Sequence, residues 1–250
     1  ISDRDRFAYE GLNSPERLLR PMVKRAGEWA EVDWPEALEA AAHGLHDVVE
    51  RHGAGALGML LAPNLTLEEL HLAAKLGRGL GTDNIDHRIR QSDFRAKPEG
   101  APWLGMAVAD ISKLESVFFI GSTLRREQPL LAARVRAAAK KGLAVHVLHV
   151  ANDDLLMPLA SRVTARPADL AGALAEVAKA VAGAGESPIA AALKGKRSAI
   201  VLGHYAQQHP DYAVLLAIAQ EIGRVTGAIV GVLPDGANAV GAHLVAAVPG

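Results

Sequence analysis

Gly121-Ser122-Thr123 lies between a run of strand-forming residues and a helix-forming run. In open parallel sheets, a small-residue turn at that place can aim backbone N–H groups at a phosphate. The spacing is not Gly-x-Gly-x-x-Gly and no Walker lysine follows, so the steric need for a tight turn is the better account of it. Arg125-Arg126 beside the turn could clamp an anion or face an acidic edge of a partner. Asp153-Asp154 falls in a predicted loop, where paired carboxylates are simply solvated. Ser122 has no Gly-x-Ser-x-Gly elbow and no evident base. Of the ten histidines, His43 and His46 share one predicted helix with His52 beyond it, and His146 and His149 point to opposite faces of a strand. No His-Glu-x-x-His occurs and no carboxylate completes a ligand set, so each reads as an ordinary surface or core histidine. There is no cysteine in the chain, hence no thiolate for an iron–sulfur cluster, a metal or a covalent intermediate. No catalytic or metal-ligating residue is expected.

The elements that would position these residues alternate between strand and helix. Val117–Ile120 reads as a buried strand, Pro129–Lys141 as a helix opened by its proline and closed by Gly142, and Leu143–Val150 as the next strand. Together they make a parallel βαβ unit. Asp169–Val181 is a further alanine-rich helix. After Gly183–Pro188 come a strand at Ala199–Gly203, a helix at Asp211–Thr226 and a strand at Ala228–Leu233. Upstream, Pro35 opens a helix whose Leu38, Ala41, Leu45, Val48 and Val49 predict one buried stripe. Ala56–Leu61 predicts a strand covered on both faces. Thr66 and Glu69 form a capping box for the helix ending near Gly77, Gly79 and Gly81. Asn84–His87 is short and extended, and 91–107 is loop. The expected fold is α/β, a doubly wound and mostly parallel sheet in two Rossmann-like lobes. The division runs 1–35 extended arm, 36–182 first lobe, 183–188 linker and 189–250 second lobe.

Bulk composition narrows the partners. The 27 Lys and Arg nearly balance the 28 Asp and Glu, and aromatics are only 4%, so neither a basic field nor stacking platforms favour nucleic acid. The longest apolar runs fall well short of the roughly 20 residues that span a bilayer. The charged opening Ser2–Arg6 does not read as a signal peptide, and none is expected within these residues. Because the chain starts at Ile1 rather than Met, a piece of a longer protein is expected.

Several tracts carry a resemblance. Ile1–Ser14 with Arg17–Val23 resembles a segment of the large iron–sulfur subunit of bacterial NADH–quinone oxidoreductase (respiratory complex I). Trp34–Leu38, Leu80–Arg88 and Gly236–Ala242 are similar to later elements of the same family. In that family the segment follows the iron–sulfur region and leads into a molybdopterin-oxidoreductase-like domain. The chain departs from active molybdopterin enzymes where they carry Gly-Ser-Asn-Pro (here Gly121-Ser122-Thr123-Leu124), Asp-Pro-Arg (nothing near Leu148–Val150) and Arg-Pro-Gly-Thr-Asp (here Arg166-Pro167-Ala168-Asp169). Gln91-Ser92-Asp93 offers no thiolate where a ligating Cys or Ser could follow; Ser92 could substitute in principle, with no other residue supporting it.

The resemblance implies a structural, non-catalytic domain that has lost its pterin and keeps Gly121, Ser122 and Thr123 as a vestigial phosphate loop. It implies no cofactor within this segment, iron–sulfur clusters in a preceding region, and contacts with that region and with other peripheral-arm subunits. It places the assembly at the cytoplasmic face of the inner membrane, without a span of its own. Two alternatives stand beside it: an active molybdenum or tungsten bis-pterin oxidoreductase, with molybdopterin as cofactor, and a plain nucleotide-binding α/β domain like those in thiamine-diphosphate enzymes.

Overall fold

The computed structural model describes residues 2–90, 93–95 and 100–249. The chain divides into two compact units, residues 88–244 and residues 1–87 with 245–250.

The unit built from residues 1–87 and 245–250 holds only small sheets. Helix α1 (Asp3–Phe7) is capped by the Ser2 side chain, which accepts from the Asp5 N–H. Strands β1 (Met22–Arg25) and β2 (Glu28–Glu31) pair antiparallel. Ala26 and Gly27, both at positive φ, turn this hairpin, as a two-residue connection requires. Part of the expected arm is therefore regular structure. Helix α2 (Trp34–His52) begins where Asp33 accepts from the Glu36 N–H, with Pro35 in the first turn.

The stripe predicted on α2 is apolar but not buried. None of its residues is buried, and Leu38 is 63% exposed; among the described residues its main packing partners are β1 and the short turn at Ala54–Ala56. The strand expected over Ala56–Leu61 contracts to β3 (Met59–Leu60), with Leu60 exposed. Helix α3 (Leu67–Gly79) carries the predicted capping box: Glu69 N–H donates to Thr66 Oγ1 at 3.2 Å, and Thr66 N–H to Glu69 Oε2 at 2.8 Å. A Cβ on Gly77 would sit 2.6 Å from Met59 Sδ and 3.0 Å from Ile85. Glycine there lets α3 lie close on β3 and its parallel partner β4 (Ile85–Asp86).

The unit of residues 88–244 is built on one five-stranded sheet. In chain order it runs β5 (Ser116–Ile120), α4 (Leu124–Glu127), α5 (Pro129–Ala139), β6 (Ala144–His149), β7 (Ser161–Thr164), α6 (Leu170–Val181), α7 (Pro188–Leu193), β8 (Ser198–Leu202), α8 (His204–Gln207), α9 (Tyr212–Thr226), β9 (Ile229–Val232) and α10 (Ala239–Leu244). The spatial order is β7-β6-β5-β8-β9, every pair parallel.

Strand alternation builds two cores. Phe118, Ile120, Leu148, Ile200 and Leu202 pack against α6, α7 and α9. Val117, Phe119, Val145, Val147, Ala199 and Val201 pack against α5, together with Met106, Ile111 and Leu114. Strands buried on both faces read as near-continuous apolar runs, which is why Val117–Ile120 and Leu143–Val150 stand out in the sequence.

Winding proceeds outward from β5 to β7, then returns through α6 and α7 to β8, which pairs with β5 from Ser116↔Ser198 to Ile120↔Leu202. Residues 183–188, expected to link two lobes, thus join α6 to α7 within one sheet-bearing unit. The direction of winding reverses between β5 and β8, and the carboxyl ends of those strands mark the crevice position at which doubly wound sheets bind ligands. No helix among the described residues is long and apolar enough to cross a membrane.

Candidate functional site: the crevice at the carboxyl ends of β5 and β8

Gly121 has φ +56°, and a Cβ on it would lie 2.6 Å from the Ala206 amide nitrogen. Its conformation and close approach leave room for nothing larger. The chain then turns through Ser122, which is 1% exposed, into α4. On the neighbouring strand, Gly203 leads from β8 into α8 and is packed against Ser122. The two loops meet at one carboxylate.

Glu127, half-buried at the end of α4, folds back onto them. Its Oε1 accepts from the Thr123 N–H at 2.7 Å, and its Oε2 from the Ser122 hydroxyl at 2.8 Å and the His204 N–H at 3.2 Å. Three donors from two loops therefore converge on a single side chain, a charge-assisted arrangement of the stronger class.

A second cluster continues from Thr123 toward β6. Its hydroxyl donates to Asp153 Oδ2 at 3.1 Å and lies 3.2 Å from His149 Nε2. A hydroxyl has one proton; with that given to Asp153, His149 must carry its own proton on Nε2 and donate it to Thr123. His149 Nδ1 is then a bare acceptor, and it is buried without a partner. Burial pushes the His149 pKa down, against the smaller upward pull of the Asp153 and Glu127 carboxylates. The ring stands edge-on to Tyr205, 5.5 Å between centroids.

Neighbouring cations are committed. Arg162 donates to Asn152 Oδ1 at 2.5 Å and to the Asp153 carbonyl at 2.7 Å, and Arg125 reaches the Asp154 carbonyl at 3.4 Å. On the β9 side, the Pro234 carbonyl takes the Gln128 amide at 3.1 Å and lies 3.1 Å from His204 Nε2.

The structure brings Gly121, Ser122 and Thr123 to the mouth of the crevice. Asp153 is not a solvated loop charge: it is half-buried and bonded to Thr123, whereas Asp154 accepts from the Leu156 N–H. His43, His46 and His52 lie exposed on α2, with His46 Nδ1 3.5 Å from Glu50. His146 is buried against Ser161, Nδ1 to Oγ 2.7 Å. Gln91 and Ser92 lie outside the described residues; Asp93 binds Arg95 at 2.8 Å and accepts from the Ala213 N–H at the start of α9. Among the described residues no three His, Cys, Asp or Glu side chains gather as a metal site. Sequence reading passed over Glu127 and His204; the one available signal was a carboxylate four residues after a small-residue turn.

A groove of about 550 Å³ opens at the opposite end of the sheet, between Glu115, Arg134, Lys141 and Lys196. It lies at the amino ends of the strands, away from the topological switch, so the crevice is the better candidate.

Curated relatives include two Staphylococcus aureus proteins, from strains MRSA252 and USA300, each bearing the name "Putative formate dehydrogenase". Each is 30% identical over 161 residues, 61% of this chain and 16% of the relative, so the match spans about a sixth of their length. Two solved structures share the fold at 16% identity. Acetylene hydratase from Pelobacter acetylenicus matches 99% of this chain and 33% of its own, with a TM-score of 0.52. The formyltransferase/hydrolase complex of Methylorubrum extorquens matches 86% of this chain and 61% of its own, with a TM-score of 0.58. The model of the molybdopterin oxidoreductase family matches residues 17–250. The chain belongs to the molybdopterin oxidoreductase family.

Proposed function

We propose that this chain is the molybdopterin-oxidoreductase-like domain of the large iron–sulfur subunit of an NADH–quinone oxidoreductase, serving as a structural body rather than as a pterin carrier. The family implies a pterin dinucleotide, whose phosphates would need open donors at the ends of β5 and β8. The donors present do not fit that group: the Thr123 and His204 amides and the Ser122 hydroxyl already serve Glu127. That observation carries the proposal. The resemblance of Ile1–Val23 to the large iron–sulfur subunit of respiratory complex I supports the finer identity, and with it contacts to the iron–sulfur region and to neighbouring peripheral-arm subunits at the cytoplasmic face of the membrane.

The names of the curated relatives favour a second reading, in which the whole protein is a molybdenum- or tungsten-dependent oxidoreductase of the formate dehydrogenase kind. In that case the pterin would be gripped by residues other than the Glu127 cluster. Elemental analysis of the full-length protein purified from its native host separates the two. The structural role predicts molybdenum and tungsten well below one per chain. A stoichiometric content of either establishes the catalytic reading instead.

A further inference from the structure

Resting on that structural reading, we infer that Glu127 is an internal counterpart of a ligand phosphate: its carboxylate occupies a latent oxyanion site at the switch point, and removing it opens the crevice to pyrophosphate.

The geometry points to an anion as the natural occupant. Two backbone N–H groups from different loops and one hydroxyl converge on the two oxygens of one carboxylate, at 2.7, 2.8 and 3.2 Å. The loops belong to β5 and β8, the strands between which the winding reverses, where such sheets place a ligand's phosphates. Ser122 is almost fully buried, so its hydroxyl needs a partner inside the protein. A carboxylate and a phosphate present similar oxygen acceptors to such donors, and the donors do not discriminate between an acceptor from the chain and one from solution.

Glu127 has the advantage of covalent attachment. It sits one helical turn from the amide that it binds, so its effective concentration at the site far exceeds any free anion. Its negative charge also repels a second anion. Asp153 adds a further carboxylate beside Thr123. The wild-type crevice therefore excludes oxyanions while retaining the backbone that would bind one. Glu127 also bridges the loop after β5 to the loop after β8, so it is a positioning residue for the crevice.

Isothermal titration of the chain with inorganic pyrophosphate tests this on wild type, Glu127→Ala and Glu127→Gln. The alanine variant empties the site; the glutamine variant keeps the shape and removes the charge. We expect Glu127→Ala to bind pyrophosphate at least about tenfold more tightly than wild type, equivalent to about 1.4 kcal/mol, with Glu127→Gln between them. Equal affinity in all three proteins, or no binding by a variant whose circular dichroism matches wild type, overturns the inference. Should neither variant fold, the Thr123 and His204 amide resonances of wild type decide. Their insensitivity to millimolar pyrophosphate supports occupancy by Glu127, and a shift at both overturns it. Pterin or metal in the native protein would defeat the structural reading; it leaves this titration, which reads the anion site alone, to be judged separately.

Discussion

Gly203 and Ser122 face each other across the reversal of winding with no space for a side chain between them: a Cβ on Gly203 would overlap the Cα and Cβ of Ser122 and crowd the Gly121 carbonyl. The obstacle is largely backbone, which cannot rotate aside. Gly203→Ala is expected to lower stability by about 1–3 kcal/mol through overpacking. Urea denaturation measures it; an unchanged midpoint would show that the two loops pack more loosely than this contact requires.

Leu174 on α6 is fully buried among Phe118, Ile200 and Leu215 in one core, whereas Leu130 on α5 is 54% exposed. Leu174→Ala should cost about 2–5 kcal/mol, and Leu130→Ala should stay within about 0.5 kcal/mol of wild type. Similar costs for the two would contradict the assignment of the layers.

Acid should weaken this unit in a defined window. Burial lowers the folded-state pKa of both His149 and His146, aided for His146 by Lys196. A histidine with a depressed folded pKa binds its proton more readily in the unfolded chain. Its contribution to stability is therefore intact above the unfolded value of about 6.5 and is lost as pH falls through the folded value. Denaturation midpoints should drop between about pH 7.5 and 5, and His149→Gln should flatten that slope. A midpoint that rises on acidification would reverse the assigned shifts.

The capping box at Thr66 and Glu69 gives a local prediction for the other unit. Thr66→Ala should cost about 1 kcal/mol and speed hydrogen exchange at the Glu69 amide, which donates to Thr66. Unaltered exchange there would mean that the cap contributes nothing.

Wild-type protein should show no thermal shift with NAD or guanine nucleotides. A ligand held at 100 times its Kd would stabilise the fold by about 2.7 kcal/mol, so the assay has range, and a shift of that size would favour the plain nucleotide-binding alternative.

Strands β5, β6 and β8 were legible because burial on both faces demands unbroken apolar runs such as Val117–Ile120, and the edge strand β9 because its sequence is apolar although Ile229 is exposed. β7 was not, since Ser161-Arg162-Val163-Thr164 is an edge with no buried residue, and its sequence looks like loop. The hairpin of β1 and β2 turns on Ala26-Gly27, a weaker signal than Asn-Gly. On α2 the spacing identified an apolar face correctly, but periodicity says which side is apolar and not whether anything covers it. The crevice was half visible. Gly121-Ser122-Thr123 announced the turn, while Glu127, in the run Arg125-Arg126-Glu127-Gln128, looks like surface charge. Its role depends on His204, which only the return of the chain to β8 brings beside it.

Pairing of Ser116 with Ser198 sets an order of events during synthesis. β5 and β6 can join as soon as both leave the ribosome, but the other side of β5, the centre of the sheet, must wait until β8 emerges. Until then a strand that is apolar beyond Ser116 exposes an unsatisfied ladder, the kind of template that recruits other chains. Truncations ending before Leu202 should therefore accumulate as aggregates rather than as shorter native domains, and refolding should be slow, as sheets closed by distant partners are.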